Sequence, residues 1–149
     1  MTIEFARRGA GTGYPTADLK KIAASILTLL EQSEAELSLA LVGDREMRSL
    51  NAKYRKKNKT TDVLSFPADP AMRSEAALLG DVIISLEQAK RQALQRKTSL
   101  KMEMVTLLIH GILHLLGYDH ERSERQAKIM KTLERKLLRH LCELGLIKL

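Results

Sequence analysis

Three histidines, His110, His114 and His120, fall within the eleven-residue run HGILHLLGYDH. His110 and His114 are four residues apart, so a helix would carry both imidazoles on one face, one turn from each other, where their nitrogens can converge on one ion. Gly117 follows the last periodic apolar residue, as a helix-ending residue in a left-handed conformation would, and lets the chain fold back so that His120 supplies a third nitrogen. Three neutral imidazoles suit a divalent transition metal, zinc first, with nickel, copper and iron as alternatives. Structural zinc sites are usually closed, cysteine-rich and four-liganded, whereas three protein ligands leave a position for water and hence for hydrolysis.

The spacing invites comparison with the HExxH helix of metalloproteases, where the Glu after the first His is the general base. Here that position is Gly111. Peptide hydrolysis by that route therefore loses its proton acceptor, and a zinc protease is the weakest of the readings. Gly111 instead permits close approach of a neighbouring element or of substrate.

A second chemistry-bearing stretch runs from Arg45 to Lys59, where Arg45, Arg48, Lys53, Arg55, Lys56, Lys57 and Lys59 stand against Glu46. That density can neutralise several phosphates, although a solvated helix face would look the same. Arg55 is singled out because a guanidinium fork can hold a phosphodiester at two points and stabilise the extra charge of its transition state. Lys56 and Lys57 are expected to bind substrate beside it. Asp119 is the expected partner for the second N–H of a ligand imidazole, the competing role being a turn cap. Asp62 and Asp81 are read as turn or loop residues, His140 as a surface or capping residue and Cys142 as helix packing. No general base is evident.

The chain as a whole bounds these possibilities. It has 149 residues and a formal charge of +7, with 44% hydrophobic and 29% charged residues. One soluble domain over 1–149 is expected. The positive charge favours a polyanionic partner, while 3% aromatic residues and the absence of Trp argue that contacts with RNA are made to phosphates and not by base stacking. A single cysteine, the lack of an apolar signal segment and of any long apolar run predict a cytoplasmic protein with no membrane partner.

Elements must then position the histidines. Apolar spacing predicts helices over Thr16 to Glu31, Arg45 to Tyr54, Leu86 to Gln95, Ser99 to Leu116 and Ser123 to Leu144. Strands are predicted over Thr2 to Phe5, Glu36 to Val42, Asp62 to Phe66, where Pro67 stops the chain, and Gly80 to Ser85, with a loop or hairpin connection from Ala68 to Leu79. The Ser99 helix is apolar on most sides, as a helix through the core must be, and it carries His110 and His114. The fold class is therefore α+β, a small mixed sheet of about four strands packed with about five helices around a metal-binding, zincin-like core helix.

Three stretches in order, LNAKYR with TDVLSFP (Leu50 to Arg55, Thr61 to Pro67), LGDVIIS (Leu79 to Ser85) and HGILHLLGYDH (His110 to His120), resemble the YbeY family of bacterial endoribonucleases. The resemblance spans about residues 36 to 140. It implies a single-strand-specific, metal-dependent endoribonuclease that works on ribosomal RNA at the 3′ end of the 16S species and in quality control of the ribosome. It further implies zinc on His110, His114 and His120, with Arg55 matching the family's arginine and His114 counted with Arg55 as catalytic. One departure stands out: the family commonly has Lys-Asp-x-Pro-Thr-Asp before VLSFP, whereas this chain has Lys57-Asn58-Lys59-Thr60-Thr61-Asp62, which alters the rigidity and charge of that loop. The alternative function is a non-catalytic, ribosome-associated RNA-binding factor whose metal only pins the C-terminal part of the fold.

Overall fold

The computed structural model describes residues 2–7, 14–69, 78–119 and 121–148. In chain order the elements are β1 (Thr2–Arg7), α1 (Thr16–Leu29), β2 (Glu36–Val42), α2 (Asp44–Arg55), β3 (Val63–Pro67), β4 (Leu78–Ser85), α3 (Leu86–Arg96), α4 (Leu100–Leu115) and α5 (Glu124–Glu143). Helices and strands alternate as far as β3, and after β4 the chain is helical. Three helices begin where a serine can cap them: Ser85, Ser99 and Ser123 each accept from the backbone N–H three residues on, at Gln88, Met102 and Gln126. Such a cap satisfies one of the orphan donors of the first turn.

The strands form one sheet in the order β1-β2-β4-β3. β1, β2 and β4 run parallel, and β3 lies antiparallel on the edge beside β4. Pro67 is the last residue of β3 and not a stop before it, paired with Gly80. An edge strand tolerates this because one row of its N–H groups needs no partner in the sheet. Leu78 and Leu79, expected in a connection, begin β4, and residues 70–77 of that connection lie outside the described part.

Across β3 and β4, Leu64 faces Ile83 and Ser65 faces Val82 in register. The period of two sends Ser65 and Val82 to the face on which α4 packs, while Leu64 joins Val42 and Met47 beneath α2. α4 fills the space between sheet and helices, with Met104, Val105, Leu108, Ile109, Ile112 and Leu113 buried on several sides. α5 closes the core through Met130, Leu137 and Leu141, which recur on one face of an otherwise polar helix. Among the described residues, no helix is long and apolar enough to cross a membrane.

Candidate metal centre and its basic cavity

α4 carries His110 and His114 near its C-terminal end, where the helix spacing brings their Nε2 atoms to 3.1 Å from each other. The rings meet edge to face, with centroids 4.7 Å apart. Two nitrogens bound at about 2.0 to 2.1 Å to one tetrahedral zinc would stand roughly 3.3 Å apart, so these two imidazoles fit two positions of such a shell. His120 lies outside the described residues, and among the described ones no group of three His, Cys, Asp or Glu side chains surrounds one point.

The helix stop between the pair and His120 is visible. Gly117 has φ +100°, its N–H donates to His114 O at 3.0 Å, and Tyr118 N–H donates to Leu113 O at 3.1 Å. This double closure is a Schellman motif, which needs a residue at ease with positive φ. The half-buried Tyr118 then packs on the core, turning the chain back towards the histidines.

A carboxylate does meet a site histidine: Glu134 Oε1 of α5 stands 3.0 Å from His110 Nδ1. Asp119, expected to orient a ligand imidazole, accepts the Glu121 N–H at 2.9 Å in the turn after α4, and His120 beside it lies outside the described residues. Glu134 lies on a helix that begins after the turn, so its approach to His110 could not be read from adjacency to the histidine run. The sequence alone does not single out Glu134; the one signal for it is its place beside the apolar stripe of Met130, Leu137 and Leu141.

Gly111 sits between the two histidines, where α4 rests on the sheet. A Cβ there would lie 2.7 Å from Val82 Cγ1 and 3.3 Å from Ser65 Oγ. Ser65 also donates its hydroxyl to Gly111 O at 3.1 Å. The glycine thus serves the approach of a neighbouring element, and a glutamate at this position has no room.

The histidines open into a concave cavity of about 630 Å³ whose wall includes Arg55, Lys57, Lys59 and Asp119. Arg55, the last residue of α2, donates from Nη2 to Ser65 O at 3.4 Å, a long bond that uses one of its five N–H donors. Lys56 is the C-cap of α2 in the left-handed conformation, at φ 57°, and lies outside the cavity lining, whereas Lys59 lines it. The basic loop therefore contributes alternate residues, 57 and 59.

That loop is held at both ends. The buried Asn51 donates its side-chain amide to Lys59 O at 2.9 Å and accepts the Lys57 N–H on its own carbonyl. Further along, Thr60 donates to Asp44 Oδ1 at 3.2 Å. Asp44 also takes two hydrogen bonds from Arg91, at 2.7 and 2.8 Å, and one from Ser85. The Arg91 guanidinium holds the Asp44 carboxyl below the usual range, against a smaller opposing effect of burial. Asp62 accepts the Val63 N–H at the start of β3 and lines the cavity, and Asp81 lies on β4 opposite Ser38, with burial raising its pKa. His140 pairs with Glu143 along α5, and Cys142 is half-buried against the core.

A family model described as Endoribonuclease YbeY matches residues 8–142 of the chain. A Sulfurihydrogenibium protein named Endoribonuclease YbeY is 49% identical over 127 residues, covering 85% of this chain and 84% of its own length. A Myxococcus xanthus protein of the same name is 54% identical over 140 residues, covering 93% of this chain but only 47% of its own length. The solution structure of a Thermotoga maritima protein matches with a TM-score of 0.65 at 25% identity, covering 91% of this chain and 86% of the other.

Proposed function

The chain belongs to the endoribonuclease YbeY family, and on that premise we propose that it hydrolyses phosphodiester bonds of RNA in the cavity where His110 and His114 meet Arg55. The observation that carries this reading is that shared cavity: metal-type donors, a guanidinium and two lysines converge on one concave site. A metal held by His110, His114 and His120, zinc by preference, would supply Lewis acidity at a phosphoryl oxygen or a water. We read α4 accordingly as the metal-bearing core helix of a zincin-like arrangement.

The protein's own groups do the rest. Arg55 is tethered to Ser65 O through Nη2, which aims the remaining guanidinium N–H donors at the cavity, where they can hold two phosphoryl oxygens and oppose the charge that develops on them. Lys57 and Lys59, staged by Asn51, neutralise the neighbouring phosphates of the strand. Val82 and Ser65 against Gly111 exclude a glutamate base from the helix, which speaks against peptide hydrolysis of the HExxH kind. The common name of the relatives supports an enzyme over a non-catalytic RNA-binding factor.

The RNA is ribosomal and single-stranded, the step is maturation of the 16S 3′ end, and the setting is the small ribosomal subunit in the cytoplasm; the family resemblance and the basic cavity support this finer reading. The test is single-turnover cleavage of a single-stranded RNA carrying that 3′ end. Arg55→Ala is expected to slow cleavage by roughly 10²-fold, in the range lost with one transition-state donor, and Arg55→Lys should recover little of it because a point charge does not replace a fork. Cleavage at the wild-type rate by Arg55→Ala would end the reading.

A further inference from the structure

The geometry points to Glu134 as a positioning residue: its carboxylate fixes the tautomer and orientation of His110, so that the C-terminal helix α5 sets the affinity of the histidine site for a divalent transition metal. This rests on the proposed metal site and adds a residue that the spacing of the histidines does not contain.

An ionised carboxylate can only accept, so the 3.0 Å contact between Glu134 Oε1 and His110 Nδ1 requires the proton of a neutral imidazole to sit on Nδ1. The lone pair is then on Nε2, which is the atom turned towards His114 Nε2 at 3.1 Å. The contact thus favours one tautomer and one ring orientation over the alternatives that a broad, roughly two-fold terminal torsion allows. The accepting carboxylate also makes the imidazole a better donor to a cation.

Glu134 is itself held in place. Met130 lies four residues before it and Leu137 three after, both buried, so the apolar stripe that docks α5 presents Glu134 on the same side. The pair is partly shielded, with side-chain exposures of 29% for His110 and 23% for Glu134. A hydrogen bond that spans two helices couples them reciprocally: docking of α5 favours the metal, and the metal must favour docking of α5 to the same extent.

The experiment measures the zinc dissociation constant of the full chain by competition with a chromophoric chelator, beside hydrogen exchange of the α5 amides with and without zinc. Glu134→Ala is expected to weaken zinc by about 10- to 100-fold, the range for loss of such a supporting carboxylate, and to reduce the zinc-induced protection of α5. Glu134→Gln keeps the shape and an accepting oxygen without the charge, so it should fall between; it also serves if the alanine variant fails to fold. Arg135→Ala, an exposed neighbour, should bind zinc as wild type does. If wild type binds zinc and both Glu134 variants bind it equally well, the role assigned to Glu134 is overturned. If wild type binds no zinc, the metal site itself is wrong and this inference falls with it.

Discussion

Replacing Gly111 by alanine tests whether the contact between α4 and the sheet is as close as it must be to seat the two histidines. The added Cβ would lie 2.7 Å from Val82 Cγ1, 3.1 Å from its Cγ2 and 3.3 Å from Ser65 Oγ, when carbon atoms in contact normally stand about 3.5 to 4.0 Å apart. Val82 has no exposed surface, and its β-branched side chain has little rotamer freedom with which to yield. The overlap of roughly 1 Å must be relieved by shifting backbone, at about 2 to 3 kcal/mol for overpacking. Alanine returns about 1 kcal/mol through its better helix propensity. The net expectation is a loss of about 1 to 2 kcal/mol, or a melting temperature lower by about 3 to 6 °C for a chain of this size. Thermal unfolding of Gly111→Ala, Val82→Ala and the double variant closes the cycle: the double variant should be more stable than the sum of the single losses by at least about 1 kcal/mol, because the new methyl fills the space that the valine vacates. Strict additivity, or a stabilised Gly111→Ala, would refute the close-packing account.

Gly117→Ala meets no neighbouring atom, so its cost is the positive φ alone, about 1 to 2 kcal/mol in thermal unfolding, with Gly117→Asn less damaging because asparagine tolerates that region better. Asp44 has a depressed native pKa, so its contribution is present above the unfolded value near 4 and lost as pH falls through the native one. The stability gap between wild type and Asp44→Asn should therefore hold from pH 7 to about 5 and close progressively below 4; a gap that widens on acidification would contradict this sign. In RNA binding, Lys59→Ala should reduce the slope of log affinity against log salt by about 0.7, whereas Lys56→Ala, outside the cavity lining, should change it less; the reverse order would show that the loop does not present its lysines as described.

Much of the frame could be read along the chain because its signals are local. Ser85, Ser99 and Ser123 stand at helix starts, Gly117 stops α4, and the apolar girth of residues 104–116 marks the core helix; each depends on neighbours within one or two turns. What could not be read depends on contacts between distant segments. The placement of β4 between β2 and β3, which brings Val82 under Gly111, follows from sheet order and not from any pattern within β4. Glu134 reaches His110 across two helices, a contact that no local pattern around the histidines announces. The same holds for the basic loop, where charge density singled out Lys56 and Lys57, and the left-handed turn at Lys56 with the Asn51 contacts lines the cavity with Lys57 and Lys59.

We propose that the histidine pair of α4 and Arg55 of α2 form one hydrolytic site for RNA. Single-turnover cleavage of a single-stranded RNA by protein of known zinc content, before chelation, after it and after zinc is restored, tests this most directly, with His114→Ala run in parallel. The expected result is cleavage that is lost on chelation, regained with zinc, and absent in His114→Ala at every step. Cleavage that survives both chelation and His114→Ala would show that the histidine pair does not form the hydrolytic site.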